Sequence, residues 1–78
     1  MGKFQVTDSN GKILWIKSVD NVNGKLEFTE KESEAYNRDG DYYTRAEAEF
    51  IKFHFKEEYP EVNNIKAVHL CFGETYQP

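Results

Sequence analysis

The segment TRAEAEFIKFHF, residues 44–55, decides the fold because it is compatible with a helix or with a strand. Its second half alternates apolar and polar residues as a strand does, with apolar positions at Ile51, Phe53 and Phe55. Its first half is rich in Ala and Glu, which favour helices, and Thr44 and Glu47 have the spacing of a capping box. We therefore predict a helix over about 45–58, ended by Pro60.

On a helical wheel this segment has two apolar stripes. The first stripe consists of Ala46, Phe50 and Phe53, and the second, on nearly the opposite side, of Ala48, Ile51, Phe55 and Tyr59. A helix lying over one face of a sheet needs only one apolar stripe. The second stripe is therefore either covered by residues 30–43 or exposed as a homodimer or partner surface.

Short strands separated by turns precede and follow this helix. Three apolar runs, around Phe4, Ile13–Ile16 and Leu26–Phe28, are joined by glycine-containing turns and predict an antiparallel meander. A closing strand is predicted over Ile65–Phe72, with Val68, Leu70 and Phe72 on one face and Ala67, His69 and Cys71 on the other. We expect one α+β domain over 1–78: a small antiparallel sheet of three N-terminal strands plus a C-terminal strand, packed against one main helix. A short helical turn is expected near 30–36 and a frayed tail at 73–78.

Composition and charge narrow the function. Seventy-eight residues allow one core, and the single cysteine, Cys71, allows no internal disulfide, which favours a reducing, cytoplasmic location. The first residues lack the apolar segment of a signal peptide, and no apolar run has the length of a membrane span. Residues 27–61 contain eleven acids and five bases, a net charge of −6. That charge argues against direct nucleic-acid binding, which depends on clustered Lys and Arg.

No motif predicts catalysis or a cofactor. Glycines 11, 24 and 40 follow acids or amides, but none has an acid and a glutamate at the two ends of a calcium loop. His69 and Cys71 lie two residues apart, which supplies half of a zinc site, and only His54 remains as a further nitrogen ligand. A histidine satisfied inside the fold beside a buried cysteine is the simpler interpretation. We expect neither metal nor cofactor, and no enzyme activity.

The strongest binding signal is an acidic segment flanked by tyrosines. Its candidate partner-binding residues are Glu30, Glu32, Glu34, Tyr36, Asp39, Asp41, Tyr42 and Tyr43. Tyrosine is favoured in binding hot spots, and acids complement a basic surface. The segment is therefore expected to contact a protein partner, for example one with a basic nucleic-acid-binding groove. The alternative interface is the second stripe, Ala48, Ile51, Phe55 and Tyr59, which would support self-association.

Several motifs together resemble small accessory proteins of phages and prophages of Gram-positive bacteria. They are Phe28-Thr29-Glu30, Glu34-Ala35-Tyr36, the segment Thr44–Ile51 and the closing Ile65-Lys66-Ala67-Val68. Such proteins often bind and disable a bacterial protein, anti-CRISPR and other anti-defence inhibitors among them. The resemblance implies a non-catalytic modulator that binds a bacterial protein. The alternative is a self-associating structural or interaction domain without an inhibitory role.

Overall fold

The β-sheet is built around its first strand. The computed structural model describes residues 1–78 and contains β1 (Gly2–Thr7), β2 (Ile13–Asp20), β3 (Lys25–Thr29), β4 (Asn37–Arg38), α1 (Asp41–Phe55) and β5 (Lys66–Val68). Short 3₁₀ helices occupy Glu32–Glu34, Pro60–Asn64 and Cys71–Gly73. One main helix on an antiparallel sheet confirms the predicted α+β fold, and the first 3₁₀ helix lies within the helical turn expected near 30–36.

Strand β1 lies between two neighbours because its residues pair on both sides. Gln5 pairs with Trp15 of β2 and with Lys66 of β5, so these two strands flank β1. Strand β4 pairs with the first residues of β1, on the same side of β1 as β2, and β3 pairs with the edge of β2 that faces away from β1. All pairings are antiparallel, with one register shift between Ile16 and Ser18.

The polar segments that faintly resemble calcium loops are turns held by aspartates. One Asp8 carboxylate oxygen accepts hydrogen bonds from the backbone N–H groups of Asn10 and Lys12, both at 2.9 Å. Asp20 accepts from the side chain of Asn23 at 2.9 Å and from its backbone N–H at 3.1 Å. These hydrogen bonds to Asn23 stabilise the carboxylate and lower the pKa of Asp20. The carboxylates thus stabilise turns.

Helix α1 begins four residues earlier than predicted. Gly40 adopts φ +83°, which favours glycine, and lies at the N-terminal boundary of the helix. Thr44 is fully buried, and its hydroxyl lies 2.8 Å from the Gly40 carbonyl oxygen and 3.1 Å from that of Arg38. The predicted capping box at Thr44 is therefore wrong, because this hydroxyl bonds backward from inside the helix. Tyr42 and Tyr43 accordingly lie in the first helical turn and not in an extended segment. The helix ends at Phe55, three residues before the predicted end.

The core lies between the sheet and α1. The second stripe of the helix supplies Ala48, Ile51 and Phe55, each at most 5% exposed. It packs with apolar residues from the strands and the 3₁₀ helix after α1, including Phe4, Val6, Ile16, Val62, Ile65, Ala67 and Leu70. Each large side chain buried here contributes about 1.5–3 kcal/mol relative to exposure. None of the helices has the length and apolar character needed to span a bilayer.

The C-terminal segment departs from the predicted strand. Only Lys66–Val68 pairs as β5, because His69 and Phe72 both adopt φ +60° and turn the chain away from the sheet. Leu70 is buried but Phe72 is 95% exposed, so the expected shared face of Val68, Leu70 and Phe72 does not form. Residues 73–78, predicted as a frayed tail, instead contact the fold. Tyr76 exchanges two backbone hydrogen bonds with Ala67, both at 2.8 Å.

Candidate functional site

The three glutamates predicted to bind a partner are engaged within the chain. Glu30 forms an ion pair with Lys12, and Glu32 forms one with Lys3 at 3.5 Å. Glu34 accepts a hydrogen bond from the Thr29 hydroxyl at 2.7 Å. Glu32 also lies 3.1 Å from His69 Nε2. Such exposed contacts contribute little stability, but they offset part of the negative charge of this segment.

Tyr36 points into the fold and not toward a partner. Its ring stacks on Phe4 with centroids 6.0 Å apart, and its hydroxyl donates to Glu47 of α1 at 3.0 Å. Desolvation raises the pKa of Tyr36, and a hydrogen bond with Arg38 partly opposes that shift. Tyr36, Arg38 and Glu47 therefore form a polar link between the sheet and the helix.

Four of the predicted partner-binding residues lie together around the start of α1: Asp39, Asp41, Tyr42 and Tyr43. Tyr42 is 77% exposed and Tyr43 59% exposed, and their rings meet edge to face at 5.4 Å. Both carboxylate oxygens of Asp41 lie 3.1 Å from the backbone nitrogen of Cys71, which donates to them. The predicted segment thus divides into an internally paired part at 30–36 and an exposed aromatic part at 39–43.

Of the two apolar stripes of the helix, the second is buried in the core and the first is exposed. Three of the four residues of the second stripe are buried, Tyr59 is half-buried, and the stripe faces β1, β5 and the Pro60–Asn64 helix. The alternative interface Ala48, Ile51, Phe55 and Tyr59 is therefore corrected to core, and residues 30–43 are not its main cover. The first stripe faces outward, with Phe50 38% and Phe53 60% exposed.

The first stripe and the two tyrosines form one surface, which we call the aromatic face: Tyr42, Tyr43, Ala46, Phe50 and Phe53. These residues lie within about 100° on the helical wheel. A shallow groove of about 460 Å³ runs beside it, lined by Tyr43, Ala46 and Phe50 together with the polar Asn21, Arg38 and Glu47.

Cations lie over the rings of the aromatic face. The guanidinium of Arg38 is 5.6 Å from the ring centroid of Tyr43. The ammonium groups of Lys52 and Lys56 are 5.9 and 5.7 Å from that of Phe53. Each contact contributes about 0.5–1 kcal/mol at an exposed site, which helps to hold the rings in place.

Little in the sequence indicated the outward position of Phe50 and Phe53. One sign was available: the second stripe continues past Tyr59 to the apolar Val62, whereas the next position of the first stripe is the charged Glu57. A stripe that continues into the following segment can remain in the core, and one that meets a charge is more easily exposed.

The histidines and the cysteine do not meet. His54 stacks on Phe50 with centroids 4.2 Å apart, and His69 stacks on Trp15 at 6.4 Å. His69 and Cys71 are both exposed, which corrects the interpretation of a buried His–Cys pair. No group of three His, Cys, Asp or Glu side chains is arranged to hold a metal ion.

A second cleft, of about 400 Å³, is lined by polar side chains and one proline. It is lined by Thr7, Asp8, Ser9, Pro60, Glu61 and Asn64. The amide of Asn64 is occupied there, since its nitrogen donates to the Thr7 carbonyl and its oxygen accepts from the Thr7 N–H, both at 2.8 Å. At this cleft, the two hydrogen bonds of Asn64 therefore join the Pro60–Asn64 helix to β1.

Comparison of the chain with protein-family models, curated proteins and solved structures finds no match.

Proposed function

We propose that this chain is a non-catalytic protein-binding domain and that the aromatic face is its binding surface. The observation that carries the proposal is the exposure of four large aromatic side chains on one side of α1. At ~200 Å² per aromatic side chain, their exposed fractions amount to roughly 470 Å² of aromatic surface. The largest apolar patch on a typical monomer is about 300–600 Å² and often functional.

This area fits the centre of a protein–protein interface. A standard interface buries about 800 Å² on each partner, of which about 56–65% is non-polar. The aromatic face supplies that apolar share, and the charged residues around it supply a polar rim. Tyrosine and phenylalanine are also enriched in such interfaces.

The finer proposal is that binding modulates a bacterial protein and takes place in the cytoplasm. Its support is the resemblance to phage and prophage accessory proteins, together with an exposed thiol at Cys71 that suits a reducing compartment. The proposed partner contacts the exposed part of the acidic segment, Asp39, Tyr42 and Tyr43, as well as the two phenylalanines of α1.

Capture experiments test the proposal. The tagged chain is incubated with lysate of a Gram-positive bacterium, beside the double variant Tyr42→Ala/Phe53→Ala and the control Ile13→Thr. Ile13 is 52% exposed and starts β2, about 23 Å along the strand from the turn that borders the groove. We expect a protein that the wild type and the control retain and the double variant loses.

Identical retention by all three proteins, or none by the wild type, would refute the proposed surface. Circular dichroism of each variant establishes that its fold is intact. The captured protein is then assayed with increasing amounts of the chain. A fall in its activity supports modulation, and unchanged activity leaves binding without an inhibitory role.

Self-association is the second candidate function, and the exposed aromatic area is the observation that favours it. It now involves the aromatic face in place of the second stripe. Sedimentation at micromolar concentration measures it: a dimer that Phe53→Glu dissociates would support it, and a monomeric wild type would exclude it at that concentration.

A further inference from the structure

The aromatic face has the spacing of a helix-packing seam. Tyr43, Ala46, Phe50 and Phe53 follow one another at intervals of three, four and three residues. This 3.5-residue repeat keeps apolar side chains on one line along a helix, where a second helix packs with its side chains between them. The seam spans about 15 Å, at 1.5 Å per residue, which corresponds to nearly three helical turns.

The smallest residue of the seam, Ala46, leaves space for a side chain of a second helix. Ala46 is exposed between Tyr43 and Phe50, and these three residues form the apolar wall of the groove. A side chain of an approaching helix can enter above the Ala46 methyl group, between the two rings. Phe50 stacks on His54 with ring centroids 4.2 Å apart, which favours one orientation of its ring.

The charge around the seam is negative. Residues 38–58, which include the Arg38 that lies over Tyr43, contain six acids and four bases, a net charge of −2. Three of the four bases have partners within the chain: Arg38 pairs with Glu47 at 3.7 Å, Arg45 pairs with Glu74 at 2.9 Å, and the Lys52 ammonium donates to the Pro78 carbonyl at 2.8 Å.

Three of the glutamates near the seam form no ion pair. Glu49, Glu57 and Glu58 form no ion pair with any residue of the chain, and only Glu47 is paired, with Arg38 at 3.7 Å. Opposite charges across an interface favour association, and like charges disfavour it. A basic occupant is therefore favoured at this surface.

We propose that the aromatic face receives a basic amphipathic α-helix of a partner protein, whose apolar ridge packs along Tyr43, Ala46, Phe50 and Phe53. This inference rests on the proposed function and specifies the partner's chemistry. Binding of an amphipathic helix in a groove is a common mode of recognition. A second copy of the chain fits less well, because its residues 38–58 bring the same net charge of −2 to the contact.

A phage-displayed library of random 16-residue peptides tests the inference. The peptides are selected on the immobilised wild-type protein, and the enriched sequences are synthesised and measured by fluorescence anisotropy and circular dichroism. We expect apolar residues at positions i, i+3 or i+4 and i+7, an excess of Lys and Arg, and a gain of helix on binding. We also expect Kd to rise with salt concentration, because exposed charge pairs are screened.

Two alanine variants test whether the peptide binds along the seam. Phe50→Ala and Phe53→Ala should each weaken binding at least about tenfold, as expected for interface anchors, while Ile13→Thr leaves Kd unchanged. The inference is overturned by peptides that are acidic or bind as extended chains, by binding that survives both substitutions, or by a selection that enriches nothing.

These outcomes separate the inference from the proposed function. If peptide binding fails while capture from lysate still depends on Tyr42 and Phe53, the face binds a partner that is not a basic helix. If capture fails as well, the proposed surface itself is wrong. A dimer dissociated by Phe53→Glu would identify a second copy as the occupant and overturn the basic-helix inference.

Discussion

Phe53 and Phe55 lie two positions apart on α1, but replacing each with alanine should change the free energy of unfolding by very different amounts. Phe55 is 5% exposed and contacts the rings of Phe50 and Tyr59, with centroids 6.4 and 6.2 Å away. Phe55→Ala should lower the free energy of unfolding by about 3–5 kcal/mol, because it leaves a cavity in the core. The free energy of unfolding of the whole domain is expected to be about 4–12 kcal/mol, from about 0.05–0.15 kcal/mol per residue, so this loss is a large part of it.

Phe53→Ala should leave the free energy of unfolding nearly unchanged. Phe53 is 60% exposed, and its ring lies against the ammonium groups of Lys52 and Lys56 at the surface. Surface substitutions usually change stability by less than about 0.5 kcal/mol, and alanine's higher helix propensity offsets part of any loss. The two variants should therefore differ by at least about 2.5 kcal/mol.

Urea unfolding followed by circular dichroism measures this difference, with a common slope m checked for all three proteins. In thermal unfolding, Phe55→Ala should lower Tm by at least about 12 °C, at 4–8 °C per kcal/mol for a domain of this size. Equal losses for the two variants, or a larger loss for Phe53→Ala, would refute the orientation of α1. The aromatic face would then be core, and the proposals built on it would fail.

Three further predictions follow from single contacts. Phe72→Gly should leave the free energy of unfolding unchanged or raise it by up to ~1 kcal/mol in urea titration, because an exposed residue at φ +60° loses its left-handed strain. Thr44→Val should cost about 1–3 kcal/mol in the same assay, since the buried hydroxyl that contacts the carbonyl oxygens of Gly40 and Arg38 is lost. Burial raises the pKa of Tyr36, so its contribution to stability is present below its unfolded pKa of about 10 and is lost as pH rises through the higher folded pKa. Tyr36→Phe should therefore flatten the alkaline decline of Tm.

The fold class could be predicted because local patterns were consistent over most of the chain. The glycine turns, the alternation in β1 and β3 and the Ala–Glu start of α1 each indicate one local structure, and the structure has those elements. Element ends were less predictable, because they depend on tertiary contacts. The start of α1 is an example: Thr44 has the residue type of a cap, but burial against Gly2 places it inside the helix, where a Cβ on Gly2 would lie 2.3 Å from its methyl group.

The candidate site was only half predictable, for a similar reason. Tyr42 and Tyr43 were predicted as partner-binding residues from residue type and acidic surroundings, with at least one of them expected to pack as a core aromatic, whereas both are exposed. Phe50 and Phe53 were expected in the core because each belongs to an apolar stripe, and both stripes satisfy the same periodicity. Which stripe faces the sheet is decided by packing with β1, β5 and the Pro60–Asn64 helix, and a helical wheel contains no information on those contacts.

The distribution of ion pairs changes what the acidic middle of the chain can do. The glutamates at 30–34 face Lys3, Lys12 and Thr29, so much of their charge is offset within the fold. By contrast, Glu49 of α1 and the two glutamates just after the helix, Glu57 and Glu58, form no ion pair. Charge that is not offset locally can steer an oppositely charged partner, and apolar area slows its departure. Both properties therefore meet around α1: changing Glu49, Glu57 and Glu58 should alter the association rate, whereas changing the exposed Phe50 and Phe53 should alter the dissociation rate.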